Sequence, residues 1–247
     1  NALQKLLVDF YSKENIEVNI HKVLPEHSYE YITTHLNRPD CSIDAFLFDI
    51  PWLQYLAEND YLLCLDDYFA RYNVDADEFV PGILEQFSNV NGHAYALPYI
   101  ATTQLLFYRK DLFYDEHLSR MFEEKYRIPL QPPKSYLQYS AIAQFFTRAQ
   151  TPSSPVEYGH AIAISYTEQL LCSFLPRLWS FKGDLFDKAG APSLTSPASR
   201  KAVKNLMECV QYAHPDMMQD RPTDAIEKFT SGRVAMLSTF FNYVTNV

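Results

Sequence analysis

Residues 91–113 read NGHAYALPYIATTQLLFYRKDLF. Asn91-Gly92 is a tight-turn pair. The apolar, β-prone run that follows is interrupted by Pro98. Then come the polar segment Thr102-Thr103-Gln104, a second apolar run Leu105-Leu106-Phe107-Tyr108, and the charged close Arg109-Lys110-Asp111. Two strand-like runs joined by a small polar segment, with no turn between them, describe one extended chain passing from one sheet to another. Hydroxyls at such a crossing can face a cleft between lobes, where ligand sites tend to lie. An ordinary strand pair inside one domain would give the same letters, so both readings stay open on this stretch alone.

Upstream, Leu3, Leu6, Leu7 and Phe10 fall at helical spacing over Ala2–Lys13. Ile16, Val18 and Ile20 alternate with Glu17, Asn19 and His21, which predicts a half-buried strand over Ile16–Val23. Ser28 reads as the N-cap of a helix ending near Asn37-Arg38-Pro39. Ile43–Phe48 reads as a short apolar strand leading straight into Asp49-Ile50-Pro51-Trp52, with a helix expected over Trp52–Asn59. An interrupted helical stretch runs from Asp66 to Phe87, with Asp66-Asp67 and Asp75-Ala76-Asp77 as its caps. Helices alternating with strands imply an α/β lobe, and ligands of such sheets bind beyond the carboxyl ends of strands. The Asp49–Trp52 loop and the Tyr99–Thr103 segment are both placed that way.

Downstream, Asp111–Ile128 reads as mostly helical, and Ser135 as the cap of a helix to Thr147. Tyr158–Ile164 reads as a strand, Thr167–Trp179 as a helix, and Lys182–Phe186 as a turn into a short strand. Ser196-Pro197 opens a helix through Cys209 and Tyr212, Thr223–Thr230 forms another, and Arg233–Thr239 is the last strand.

A chain of 247 residues can bury one large core or two modest ones. Only 6 glycines argue against a Gly-rich phosphate loop. The net charge of −9, with no Lys/Arg cluster, gives no electrostatic footprint for nucleic acid. No apolar run reaches the length of a membrane helix, and the opening NALQKLLVDF is no secretory signal. That last absence says little for a segment of a longer protein.

The paired carboxylates Asp66-Asp67 and Glu123-Glu124 read as caps and solvated helix faces rather than a glycosidase pair. The seven histidines show no HExxH or comparable spacing, no cysteines form CxxC, and GxSxG is missing. No catalytic residue, metal or cofactor is therefore expected. The aromatic residues at strand ends are different: Trp52, Tyr99, Tyr166, Trp179, Phe240 and Phe241 lie at or near turns rather than inside periodic core faces. Flat rings with hydroxyl and carboxylate neighbours suit a sugar, whose C–H face stacks while its hydroxyls hydrogen-bond. Core packing is the competing fate of each ring taken singly.

In order along the chain stand Asp49-Ile50-Pro51-Trp52, Leu62-Leu63 with Leu65-Asp66, Phe79-Val80-Pro81, and Asn91-Gly92-His93-Ala94-Tyr95-Ala96-Leu97-Pro98. Later come Tyr108-Arg109-Lys110-Asp111-Leu112 and Ser231-Gly232-Arg233-Val234-Ala235-Met236. Their order and spacing resemble the bacterial extracellular solute-binding proteins of family 1, the maltose-binding type, over nearly the whole chain. Ser135-Tyr136 departs mildly from the family's threonine-tryptophan. The family's first β-strand, its second crossing and roughly its last third have no counterpart, so the resemblance implies a truncated member.

It implies an α/β, two-lobed periplasmic-binding-protein-like fold of type II, incomplete at both ends, with lobes at 1–102 and 103–247. It also implies a non-enzymatic, monomeric carbohydrate receptor of an ABC sugar transporter, closing by a hinge on a sugar or oligosaccharide and handing it to permease subunits. The implied ligand residues are Asp49, Trp52, Tyr99, Thr102, Thr103, Tyr166, Trp179, Ser238, Phe240, Phe241 and Asn242. Thr102 stands where sugar binders of this type often have a carboxylate, which leaves the exact sugar open. The implied location is extracytoplasmic, periplasmic or lipoprotein-anchored.

A different class also fits: the sugar-sensing effector domain of a cytoplasmic transcription regulator with the same fold. Four unpatterned cysteines, Cys41, Cys64, Cys172 and Cys209, lean toward that reducing compartment. An enzyme on this fold, or a remnant without a ligand, are the remaining readings. Thiol titration of denatured, non-reduced protein is expected to return about four thiols; a count near zero would establish disulfides.

Overall fold

The computed structural model describes residues 2–244. The chain packs as two units, Asn1–Tyr99 and Ile100–Val247. No helix among the described residues is long and apolar enough to cross a membrane.

The first unit is mainly helical. It runs through α1 (Ala2–Glu14), α2 (Pro25–Leu36), a 3-10 turn at Ile50–Trp52, α3 (Leu53–Glu58), α4 (Asp66–Tyr72), a 3-10 turn at Ala76–Glu78 and α5 (Ile83–Ser88). It closes with the hairpin β1 (Asn89–Val90) and β2 (His93–Ala94). Asn91 and Gly92 both take positive φ, 53° and 91°, as a two-residue hairpin turn demands, and the Gly92 N–H donates to Asn89 Oδ1 at 2.9 Å. Among the described residues, Ile32, Leu53, Leu56 and Ala57 are its buried apolar ones.

Neither strand expected in this unit forms. Ile16–Val23 and Ile43–Phe48 join no ladder, and Ile16, Val18, Ile20 and Leu47 are exposed. Alternation supplies one apolar face, but a strand also needs a neighbour to exchange hydrogen bonds with and a layer to cover that face. The opening of α2 differs too. Pro25, whose fixed φ suits a first helical position, starts it, and Ser28 Oγ turns back to donate to the Pro25 carbonyl at 2.7 Å rather than capping. Asp75 does cap, accepting from the Asp77 N–H at 2.9 Å. Asp66 does not: its carboxylate is held by the β1–β2 hairpin.

The second unit is a three-layer α/β arrangement around β3 (Gln104–Tyr108), β4 (Tyr158–Ala161) and β5 (Val234–Phe240). Between the strands lie α6 (Lys110–Phe113), α7 (Glu116–Tyr126), α8 (Tyr136–Phe146), α9 (Thr167–Ser180), α10 (Pro197–Val210) and α11 (Pro222–Thr230). The sheet order is β3-β5-β4. β3 runs antiparallel to β5, with Gln104 opposite Phe240, and β4 runs parallel to it, with Ala161 opposite Leu237. Val234, Ala235, Met236 and Leu237 of the central strand are at most 1% exposed, because helices cover both faces. Ala235 and Met236 pack with Phe113, Phe122, Phe145 and Phe146 of α6–α8, while Val234 and Leu237 pack with Ala225 and Ile226 of α11.

Ser135 and Ser196 cap α8 and α10 as the sequence predicts, accepting from the Gln138 and Ser199 N–H groups at 3.2 Å. The mostly helical stretch Asp111–Ile128 forms as α6 and α7, the second capped by Asp115, which accepts from the Leu118 N–H at 2.8 Å. β4 stops at Ala161 rather than Ile164, since the Ile164 N–H leaves the sheet to donate to the Met217 carbonyl at 3.1 Å. The short strand expected near Phe186 is a single bridge, Phe186 to Pro192, across a turn at Gly190.

Two residues fix β4 against α8 and α10. A Cβ on Gly159 would sit 1.9 Å from the Ala143 carbonyl oxygen of α8. That closeness lets the Gly159 N–H donate to Thr147 Oγ1 at 3.0 Å. Next along, His160 is fully buried, its Nε2 donates to the Cys209 carbonyl at 2.8 Å, and its ring meets Tyr139 edge-on at 5.3 Å. Burial pushes its pKa down to about 4, against the opposing pull of the Cys209 carbonyl.

Gly159→Ala is expected to cost about 3 kcal/mol or more in denaturant unfolding, because backbone must move. Gly92→Ala, strained by φ alone with open space around it, is expected to cost only about 1–2 kcal/mol. Equal losses would show that β4 and α8 separate freely. His160 gives a pH dependence of definite sign. The unfolded chain takes up its proton near the ordinary value of about 6.5, the folded chain only near about 4. Between these values the unfolded state holds more protons, so stability is fully present above about pH 6.5 and falls as pH drops, by up to about 3 kcal/mol. Unfolding curves between pH 7 and 5 should lose this slope in His160→Gln; an unchanged slope would assign it elsewhere.

Candidate functional site

Strand direction decides where the second unit gathers its polar groups. Because β3 opposes β5 and β4 parallels it, the start of β3 and the ends of β4 and β5 share one sheet edge. The Phe241 N–H donates to the Thr103 carbonyl at 3.2 Å, and Thr102 Oγ1 donates to Asn242 Oδ1 at 2.7 Å. Thr102, Thr103, Ser238, Phe240, Phe241 and Asn242 are therefore one cluster, although its two halves are 140 residues apart at Thr102 and Asn242. Phe240 meets Tyr243 edge-on at 6.4 Å, and Phe241 is 38% exposed. The chain leaving β4 at this edge passes Tyr166, the residue before α9, whose hydroxyl accepts from Gln169 Nε2 at 3.2 Å. Trp179 lies in the last turn of α9, about 18 Å along the helix from its start at 1.5 Å per residue, and is 53% exposed.

A recess opens beside the edge, lined by Gln104, Tyr136, Tyr139, Ser173, Arg177 and Ser238 among others. Its α9 wall, formed by Cys172, Ser173 and Arg177, is interrupted at Pro176. Inside α9 that proline has no N–H, so the carbonyl four residues back, that of Cys172, lacks its helical donor. Gln104 Nε2 supplies one at 3.0 Å. Arg177 follows and is only 4% exposed. Its guanidinium carbon lies 4.4 Å from the centre of the Tyr136 ring and 5.9 Å from that of Tyr139, and Nη1 donates to the Ser173 carbonyl. Its Nε is buried and has no hydrogen-bond partner among the described residues. Burial raises the pKa of both tyrosines, only partly opposed by the Arg177 charge, so they stay neutral phenols.

In the first unit Asp49 precedes the 3-10 turn, and its carbonyl accepts from the Trp52 N–H at 2.9 Å. Trp52 is half-buried and packs edge-on against Tyr29 of α2, 5.0 Å between centres. Tyr99 is 61% exposed. On the same unit the Ala94 N–H donates to Asp66 Oδ1 at 2.9 Å and His93 Nδ1 lies 2.7 Å from Oδ2. Those two contacts, the backbone one first, hold the Asp66 carboxyl below the usual range.

Gln104 and Arg177 are the site groups that the sequence does not single out. Gln104 carried a signal, as the third residue of the polar segment after Thr102-Thr103. Arg177 carried a weaker one: a proline one position earlier, inside a helix, marks a carbonyl in need of another donor.

The whole chain, residues 1–247, matches the family of bacterial extracellular solute-binding proteins. A probable ABC transporter-binding protein of Deinococcus radiodurans is 24% identical over 174 residues, which cover 70% of this chain and 38% of that protein. Among solved structures, an ABC transporter solute-binding protein of Agrobacterium radiobacter in complex with ribitol superposes with a TM-score of 0.79 at 22% identity, covering 97% of this chain and 57% of that one. Maltose-bound MalE3 of T. maritima gives a TM-score of 0.76 at 23% identity, over 96% of this chain and 57% of that one. The chain thus spans a little over half the length of these solved relatives and shares their fold. Matched along its entire length, this chain belongs to the bacterial extracellular solute-binding proteins.

Proposed function

We propose that the protein is the carbohydrate-binding receptor of an ABC transporter: it takes up a sugar, polyol or oligosaccharide by closing its lobes, performs no chemistry on it, and passes it to permease subunits outside the cytoplasm. The observation that carries this reading is the second unit's sheet edge. There hydroxyl, amide and guanidinium groups of Thr102, Gln104, Ser238, Asn242 and Arg177 lie with or beside the rings of Phe240 and Phe241. Such a mixture suits a polyhydroxylated ligand: donors and acceptors for its hydroxyls, flat faces for its C–H surface. The bound ribitol and maltose of the structural relatives favour the same class. Asp49, Trp52 and Tyr99 are the first lobe's proposed contribution, and the proposed lobes are residues 1–102 and 103–247. Trp179, in the last turn of α9, is a further proposed ligand residue.

A thermal-shift screen of polyols, monosaccharides and oligosaccharides on the full-length protein is expected to find at least one compound that raises Tm, since a ligand binding only the folded state stabilises it. For that compound, Phe241→Ala should weaken binding by roughly 1–3 kcal/mol, the scale of stacking a flat ring on an aromatic side chain. Stabilisation by amino acids or peptides but by no carbohydrate would overturn the reading.

A further inference from the structure

Outside the sheet-edge cluster, Cys64, Asp66 and His93 are the described residues whose metal-ligating atoms come together: one atom from each lies within 4.8 Å of the others. Sequence spacing conceals the group, because 27 residues separate Asp66 from His93. Backbone bonds bring them side by side. The Leu65 N–H donates to the Ala94 carbonyl at 2.7 Å, and the Ala94 N–H returns to Asp66 Oδ1 at 2.9 Å. The segment before α4 is thus tied to the β1–β2 hairpin on both sides of the cluster. Cys64 and His93 each stand one position from a bonded backbone group.

We propose that Cys64, Asp66 and His93 bind a divalent cation of the zinc class, with water completing a tetrahedral set. A thiolate, an imidazole and a carboxylate together select a borderline-soft ion such as Zn²⁺ or Co²⁺ over Mg²⁺ or Ca²⁺, which prefer all-oxygen sets. The spacing fits. Donor atoms around one tetrahedral zinc stand about 3.3–3.7 Å apart, given metal–ligand bonds of about 2.0–2.3 Å. The His93–Asp66 separation of 2.7 Å lies below that value and the outer limit of 4.8 Å above it, so binding an ion requires the side chains to turn. Cys64 is exposed, which gives the ion a way in. Thiolate and carboxylate together balance the charge of a divalent ion. Binding would clamp the hairpin to α4 and so stabilise the first unit, independently of any carbohydrate.

The test uses the unaltered chain first. Zn²⁺ should slow alkylation of Cys64 by iodoacetamide at least about tenfold. Cys41, the other exposed cysteine of the same unit, should react at an unchanged rate. Titration with Co²⁺ should then give a near-ultraviolet thiolate-to-metal absorption at one equivalent. Cys64→Ser should abolish that band, and His93→Ala, which removes a ligand outright, should weaken Co²⁺ binding by more than the roughly 10–100-fold lost when only a ligand's outer partner is removed. Cys64 alkylating equally fast with and without Zn²⁺, both cysteines slowing alike, or Co²⁺ binding without a thiolate band would each overturn the proposal.

Discussion

Everything in the second unit depends on β5 having two neighbours of opposite sense. A central strand buried on both faces must satisfy every backbone group through its ladders, and β5 does so antiparallel to β3 and parallel to β4. The stretch from Val234 to Leu237 is apolar throughout because neither face meets water. Each of the larger side chains buried there contributes on the order of 1.5–3 kcal/mol relative to exposure. That stable centre sets the geometry at its end. Reversed pairing puts the beginning of one strand beside the ends of two others, so the polar residues just outside the ladder collect at one place. The Thr102–Asn242 hydrogen bond is a product of that register.

A second constraint acts across the sheet. Helix α8 lies so close to β4 that only glycine fits at position 159, and the fully buried His160 follows immediately. With α8 fixed, Tyr136 and Tyr139 stand beside Arg177 of α9, and Pro176 leaves Cys172 with a carbonyl that Gln104 satisfies. The sheet edge and the recess meet at Gln104 and Ser238. The first unit has no comparable sheet among the described residues. Its order comes from a short apolar core and from the pairing of Leu65 and Asp66 with Ala94.

The helices were largely legible in the sequence because their signals are local. Ser135, Ser196 and Asp75 lie next to the N–H groups they satisfy, and Asn91-Gly92 supplies both positive φ values in two letters. Strands β3 and β5 were legible for a related reason: their apolar runs are bounded by polar or turn residues. Ile16–Val23 and Ile43–Phe48 carry the same signature without forming ladders, since a strand is completed by a partner that its own residues do not specify.

The sequence by itself therefore determined most helix positions, the tight turn, the crossing segment Thr102-Thr103-Gln104 and, through ordered motifs, the family. Tertiary structure decided what meets what. It set Asn242 against Thr102 and Gln104 against Cys172, and gathered Cys64, Asp66 and His93. The physical reason is range. Turns, caps and helical spacing are contests among neighbouring residues, whereas a site is made by strand register and helix packing between segments many residues apart.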